Sequence, residues 1–192
     1  HLQVDDLNQF SEDMMNGVDA IRIPATIPKA EILNLIARID DTTDLLIIDD
    51  IQLALELNVK GVFFSNPESY NELRNFDQDL LLGGMAHNLA DCKNWEMIGA
   101  DFIDYNPPIQ KEHNSPLGSE GFQELPSKNE VYGWMLFSLN VPVFVHHPTN
   151  LTVIQSIVEF ADVQGTSLSA NFDWGQNATT TLNQIRNLLN AV

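Results

Sequence analysis

Cysteine and positive charge are what this 192-residue sequence has least of. Its single cysteine, Cys92, cannot close an internal disulfide or build a cysteine metal site. Nine Lys and Arg stand against 27 Asp and Glu, a formal net charge of −18. Such a field repels polyanions before contact, which argues against nucleic acid and acidic membrane surfaces as partners. No apolar run reaches the ~18 to 20 residues of a membrane span, and His1-Leu2-Gln3-Val4 has neither the basic nor the apolar region of a signal segment. A soluble, cytoplasmic protein is expected; because the chain does not begin with Met, a trimmed N-terminus or a removed signal peptide is the alternative. What is present suffices for a real core. With 44% hydrophobic residues the chain can bury roughly 70% of its unfolded surface, so we expect one domain over residues 1–192.

Alternation is the main pattern. Apolar, β-branched runs at 2–4, 18–23, 45–49, 61–64, 80–84, 101–105, 141–146 and 166–170 read as strands. Segments with helical spacing follow them at 7–16, 29–39, 51–57, 68–76, 89–98, 130–139, 151–160 and 179–191. Asn88 and Asn150 are candidate N-caps, and Gly99 is placed where a helix exit needs positive φ. Strands alternating with helices pair in parallel, and eight such units predict an α/β fold of the compact (β/α)8 TIM-barrel type. An open doubly wound sheet is the competing architecture, disfavoured because no Gly-rich phosphate loop follows the first strand. The longest irregular stretch, 106–128, holds Pro107, Pro108, Pro116, Gly118 and Gly121. In a barrel it lies at the C-terminal face, where active sites are built.

Two segments carry a family resemblance. Residues 46–68 read LIIDDIQLALELNVKGVFFSNPE and residues 82–109 read LGGMAHNLADCKNWEMIGADFIDYNPPI. They resemble the thiamine-phosphate synthase and thiazole tautomerase family, in which the same stretches run approximately IINDxxxLALxLxADGVHLGQxD and IGVSxHxxxEAxxAxxxGADYIGxGPxF. Fainter likeness continues through Pro116-Leu117-Gly118 and Val141-Pro142-Val143. The resemblance implies a barrel that joins a pyrimidine diphosphate to a thiazole phosphate, with Mg²⁺ neutralising the leaving pyrophosphate. On this reading Asp49 and Glu68 are the metal ligands, while Arg22 and Lys111 meet the anionic substrate. His147 stands in the phosphate cup, and Ser167 and Ser169 offer hydroxyl donors. The plainer readings are that Asp49 and Asp50 start a helix, that Glu68 does the same after Pro67, and that Arg22 is a salt-paired or edge arginine.

The family pattern is also broken at informative places. Its Gln-x-Arg-x-Lys grip on pyrophosphate falls on Arg22-Ile23-Pro24-Ala25-Thr26, which keeps one cation. Its Asn before the metal-binding Asp is Ile48, its Ser after the fifth strand is Met85, and its Thr-x-Thr-Lys loop is replaced by Gln110-Lys111-Glu112-His113-Asn114. Its Gly-Gly phosphate cup becomes His147-Pro148, where proline removes an N–H donor.

Other constellations carry less. His146-His147 with Asp49, Asp101, Asp104 or Glu68 could form a metal site, but alternation sends the two imidazoles to opposite faces. His113 reads as a loop histidine, and Cys92 as a buried, inert thiol. Trp174 packs on the last helix or lines the mouth. The expected function is that of a divergent thiamine-phosphate-synthase-like protein of thiamine metabolism, with degenerate phosphate motifs that argue against intact synthase activity. The alternative is an inactive barrel that binds a small non-phosphorylated ligand or a protein partner. A small-molecule ligand and a homodimer are the expected partners.

Overall fold

The computed structural model describes the chain apart from residues 8–10, 16, 72–79, 107–138, 147, 159–162, 170, 176 and 191–192. Among the described residues, eight strands form one parallel sheet in sequential order: β1 (Leu2–Gln3), β2 (Ala20–Pro24), β3 (Asp44–Ile48), β4 (Gly61–Phe64), β5 (Leu81–Ala86), β6 (Phe102–Tyr105), β7 (Val143–His146) and β8 (Gly165–Ser167). A parallel bridge between Leu2 and Leu168 joins the first strand to the last. Gln3 N–H donates to Leu168 O at 2.8 Å, and Leu168 N–H donates to His1 O at 2.8 Å. The ring is therefore closed, and the expected barrel is the observed one.

Helices occupy the crossovers: α1 (Glu12–Met15), α2 (Lys29–Ile36), α3 (Ile51–Leu57), α4 (Leu89–Met97), α5 (Leu151–Val158) and α6 (Ala178–Leu189), with a 3₁₀ turn at Pro67–Asn71. The caps follow the sequence. Asn88 Oδ1 accepts from Asp91 N–H at 3.0 Å, and Asn150 Oδ1 accepts from Val153 N–H at 3.0 Å. Gly99 leaves α4 at φ +84°, a conformation that glycine adopts without steric cost. The helix expected at 130–139 lies outside the described residues.

Each strand divides its side chains between two cores. Outward, Ile21, Ile23, Leu45 and Ile47 pack against Ile32, Leu35 and Ala54 of α2 and α3. Further round the ring, Val62, Leu82 and Ile103 pack against Cys92 and Trp95 of α4. Inward, Leu46, Ile48, Phe63, Met85 and Phe102 fill the barrel, with Phe144 against them. Because both faces are buried, a strand such as β4 shows no polar alternation. The fifth strand runs two residues beyond the expected 80–84. Gly83 and Gly84 do not end it; they are small because a Cβ at Gly83 would lie 2.0 Å from the Phe102 ring and one at Gly84 would lie 2.2 Å from the Trp95 indole. No helix among the described residues is long and apolar enough to cross a membrane.

Candidate functional site

The inside of the barrel is not uniformly apolar. Arg22 of β2, Asp104 of β6 and Ser167 of β8 all point inward and are fully buried. Both guanidinium nitrogens Nη1 and Nη2 donate to the Asp104 carboxylate, the latter at 3.1 Å. The Ser167 hydroxyl lies 2.7 and 2.6 Å from the two Asp104 oxygens and donates to that carboxylate. Beneath the guanidinium is the Phe63 ring of β4, its centroid 3.9 Å from Arg22 Cζ. One level of the barrel is thus built by four side chains from alternate strands, the usual filling of this fold, but three of the four are polar.

Two imidazoles border this level. His146, at the end of β7, places Nδ1 3.0 Å from Asp104 Oδ2. A carboxylate only accepts, so His146 Nδ1 carries the proton. The His1 ring places Nδ1 2.7 Å from Arg22 Nη2, where the guanidinium can only donate and the imidazole nitrogen accepts. Burial pushes the Asp104 carboxyl up, yet the Arg22 charge and the hydrogen bonds from His146 and Arg22 outweigh it, holding Asp104 ionised well below the usual carboxylate range. One atom is left over: among the described residues, Arg22 Nε is buried with no hydrogen-bond partner.

The expected metal ligands sit elsewhere, on the exposed C-terminal rim. Asp49 follows β3 at φ 59°, and its carboxylate accepts from Ser65 N–H at 2.8 Å and from the Ser65 hydroxyl at 2.5 Å. It thereby ties the ends of β3 and β4 together. The neighbouring Asp50 caps α3, its side chain accepting from Leu53 N–H at 2.8 Å, as the plainer reading of that pair foresaw. Glu68 lies in the 3₁₀ turn after β4 and is exposed. Ser169 is buried beyond β8, its hydroxyl accepting from Asn171 N–H at 3.3 Å. His87, after β5, has Nδ1 2.7 Å from Asn106 O. Lys111, His147 and His113 lie outside the described residues.

The structure therefore brings Arg22 and Ser167 together but adds Asp104 and His146 as their partners. Those two had been weighed as metal ligands, not as members of a sealed ion pair. A signal was present. Charged residues in the middle of the apolar strands Ala-Ile-Arg-Ile-Pro and Phe-Ile-Asp-Tyr fall on the inward phase, and two opposite buried charges tend to find one another.

No protein-family profile matches the chain. A thiamine-phosphate synthase of Bacillus velezensis is 36% identical over 68 residues, a stretch that is 35% of this chain and 30% of that enzyme's length. The thiamine phosphate pyrophosphorylase of Pyrococcus furiosus superposes with a TM-score of 0.71 at 14% identity, covering 99% of this chain and 95% of its own. Phosphoribosyl anthranilate isomerase from Thermotoga maritima superposes at 0.67 with 9% identity over 100% and 98% of the two chains, a likeness of fold alone. Sequence and fold thus agree with the resemblance carried by residues 46–68 and 82–109: the chain is a (β/α)8 barrel that is similar, over about a third of its length in sequence and nearly all of it in fold, to thiamine-phosphate synthases.

Proposed function

We propose that this barrel works in thiamine metabolism, in the cytoplasm, binding a thiazole- or pyrimidine-bearing thiamine precursor at its C-terminal mouth without the family's metal-assisted displacement of pyrophosphate. One observation carries the second half of that statement. Arg22, the cation retained from the family's pyrophosphate grip, is sealed inside the barrel with Asp104 as its anion. A guanidinium already neutralised by a carboxylate has little field left for a substrate phosphate.

The metal side points the same way. Asp49 already accepts two hydrogen bonds from Ser65. Among the described residues no group of three or more His, Cys, Asp or Glu side chains gathers as a metal set. Asp49 is engaged by Ser65 and Glu68 sits in the exposed turn after β4, and no step is derived through a pyrophosphate-bridging Mg²⁺. Ser169, Lys111 and His147 are proposed as ligand contacts on the strength of the family resemblance.

A thermal-shift titration tests the reading, since a ligand at 100 times its Kd stabilises by about 2.7 kcal/mol. The ligands are unphosphorylated hydroxyethylthiazole and hydroxymethylpyrimidine, their phosphates, and thiamine phosphate, each with and without Mg²⁺. Stabilisation by the rings, with no further gain from phosphate plus Mg²⁺, is expected. Stabilisation that requires both phosphate and Mg²⁺ would overturn it and restore the synthase activity.

A further inference from the structure

We propose that the cavity at the N-terminal face of the barrel, between the ends of α2 and α3 and the starts of β3 and β4, binds a small organic cation: an ammonium or other onium group carried on an apolar body. The inference does not rest on the thiamine reading, which concerns the opposite face. It rests on a cavity whose walls, lining and charge agree.

Short connections build the walls. After Ile36 the chain turns back, with Thr43 N–H donating to Asp40 O at 2.9 Å and the buried Thr43 hydroxyl donating to Val18 O at 3.2 Å. Asp44 N–H then donates to Asp19 O at 2.9 Å as β3 begins. On the other side Asn58 leaves α3 at φ 51°, a left-handed conformation that asparagine enters more readily than most residues. Lys60 N–H donates to Leu45 O at 3.1 Å immediately before β4. Both walls are therefore held by backbone hydrogen bonds before any ligand arrives. The space between them is about 390 Å³, within the range of small-molecule sites.

The lining has two characters. Leu45 and Leu57 are buried and Ile36 and Ile39 half-buried, and together they give the cavity an apolar surface that an apolar ligand body would cover. Asp41 and Asp44 also line it, with Asp40 beside them and Lys60 as the cation of the set. Three carboxylates thus outnumber one ammonium, and among the described residues neither Asp41 nor Asp44 is in an ion pair. A second source of negative potential is independent of the side chains. Ile36 and Leu57 are the last residues of α2 and α3, and neither helix has a basic residue in its last turn, so two helix C-termini add their partial negative charge. The −18 of the whole chain acts in the same sense. Charge selects a cation, and the apolar lining selects an organic one over a bare metal ion.

The test is a titration of the full chain with phenethylamine, which is charged at neutral pH, followed by ¹H–¹⁵N NMR. Saturable shifts in the low millimolar range or tighter, centred on residues 36–45 and 57–60, are expected. 2-Phenylethanol has the same shape without the charge and phenylacetate has the opposite charge; each should bind about 10-fold more weakly or worse, the loss of two partly exposed charge contacts. Asp41→Asn and Asp44→Asn keep the shape of the rim and remove one charge each, so each should raise Kd by about 2- to 5-fold. Asp41 is exposed and Asp44 half-buried, so both variants should melt with wild type. Three results would overturn the assignment: non-saturating shifts scattered over the acidic surface, which mark general attraction of cations only; equal binding of 2-phenylethanol; or an unchanged Kd when both carboxylates are replaced together.

Discussion

Replacing Asp104 with alanine would strand the Arg22 guanidinium in the barrel with 0% exposure and leave the Ser167 hydroxyl and His146 Nδ1–H without their acceptor. Breaking a buried ion pair by removing one partner costs about 3–5 kcal/mol. For a chain of this length each kcal/mol shifts Tm by about 2–4 °C, so Asp104→Ala should melt about 6–20 °C below wild type. Urea denaturation gives the energy, and an unchanged slope would show that stability, not denatured-state compactness, has moved. The double replacement Arg22→Met with Asp104→Leu removes both charges and should recover most of the loss. The pH dependence has a definite sign. The folded Asp104 carboxyl is depressed, so its stabilisation is present above the unfolded value of about 3.9 and is lost as pH falls toward the folded one. Wild type should therefore lose stability below about pH 4 more steeply than Asp104→Asn. A cost for Asp104→Ala below about 1 kcal/mol, the level of a surface pair, would refute the claim that this level of the barrel is dry.

Cys92 is buried, and burial pushes its thiol up to about 12, so the native chain should not react with Ellman's reagent at neutral pH and should give one equivalent once denatured. Asn88→Ala removes the N-cap of α4 and should cost about 1 kcal/mol in the same denaturation assay. At Asp49, held at φ 59°, alanine loses the Ser65 bonds and keeps the backbone strain, whereas glycine loses the bonds and sheds the strain. Asp49→Gly should therefore be the more stable of the two by about 1 kcal/mol.

Much of the barrel was legible because strand and helix periods differ. Each expected strand overlaps an observed one, and the Gly61–Phe64 and Ile51–Leu57 elements coincide with the reading. The ends were less legible. The strand expected from residue 141 begins at Val143, since Pro142 has no N–H to give to the ladder and serves it by accepting from Ile103 N–H at 2.9 Å. The helix expected over 29–39 stops at Ile36, where Ala37 is the C-cap. The site was harder still. Alternation tells that Arg22 faces inward but not which carboxylate it meets, because Asp104 is 82 residues away and the choice is made by closure of the ring. Family likeness did not help there, since a buried Arg–Asp–His cluster replaces what the resemblance led one to expect.

The central claim is that the chain keeps the frame of a thiamine-phosphate synthase while the charge of Arg22 is satisfied from within. Isothermal titration calorimetry of the wild-type chain with pyrophosphate in the presence of Mg²⁺ tests it most directly. The account predicts no saturable binding up to millimolar pyrophosphate. A Mg²⁺-dependent Kd in the micromolar range that Asp49→Ala abolishes would contradict it.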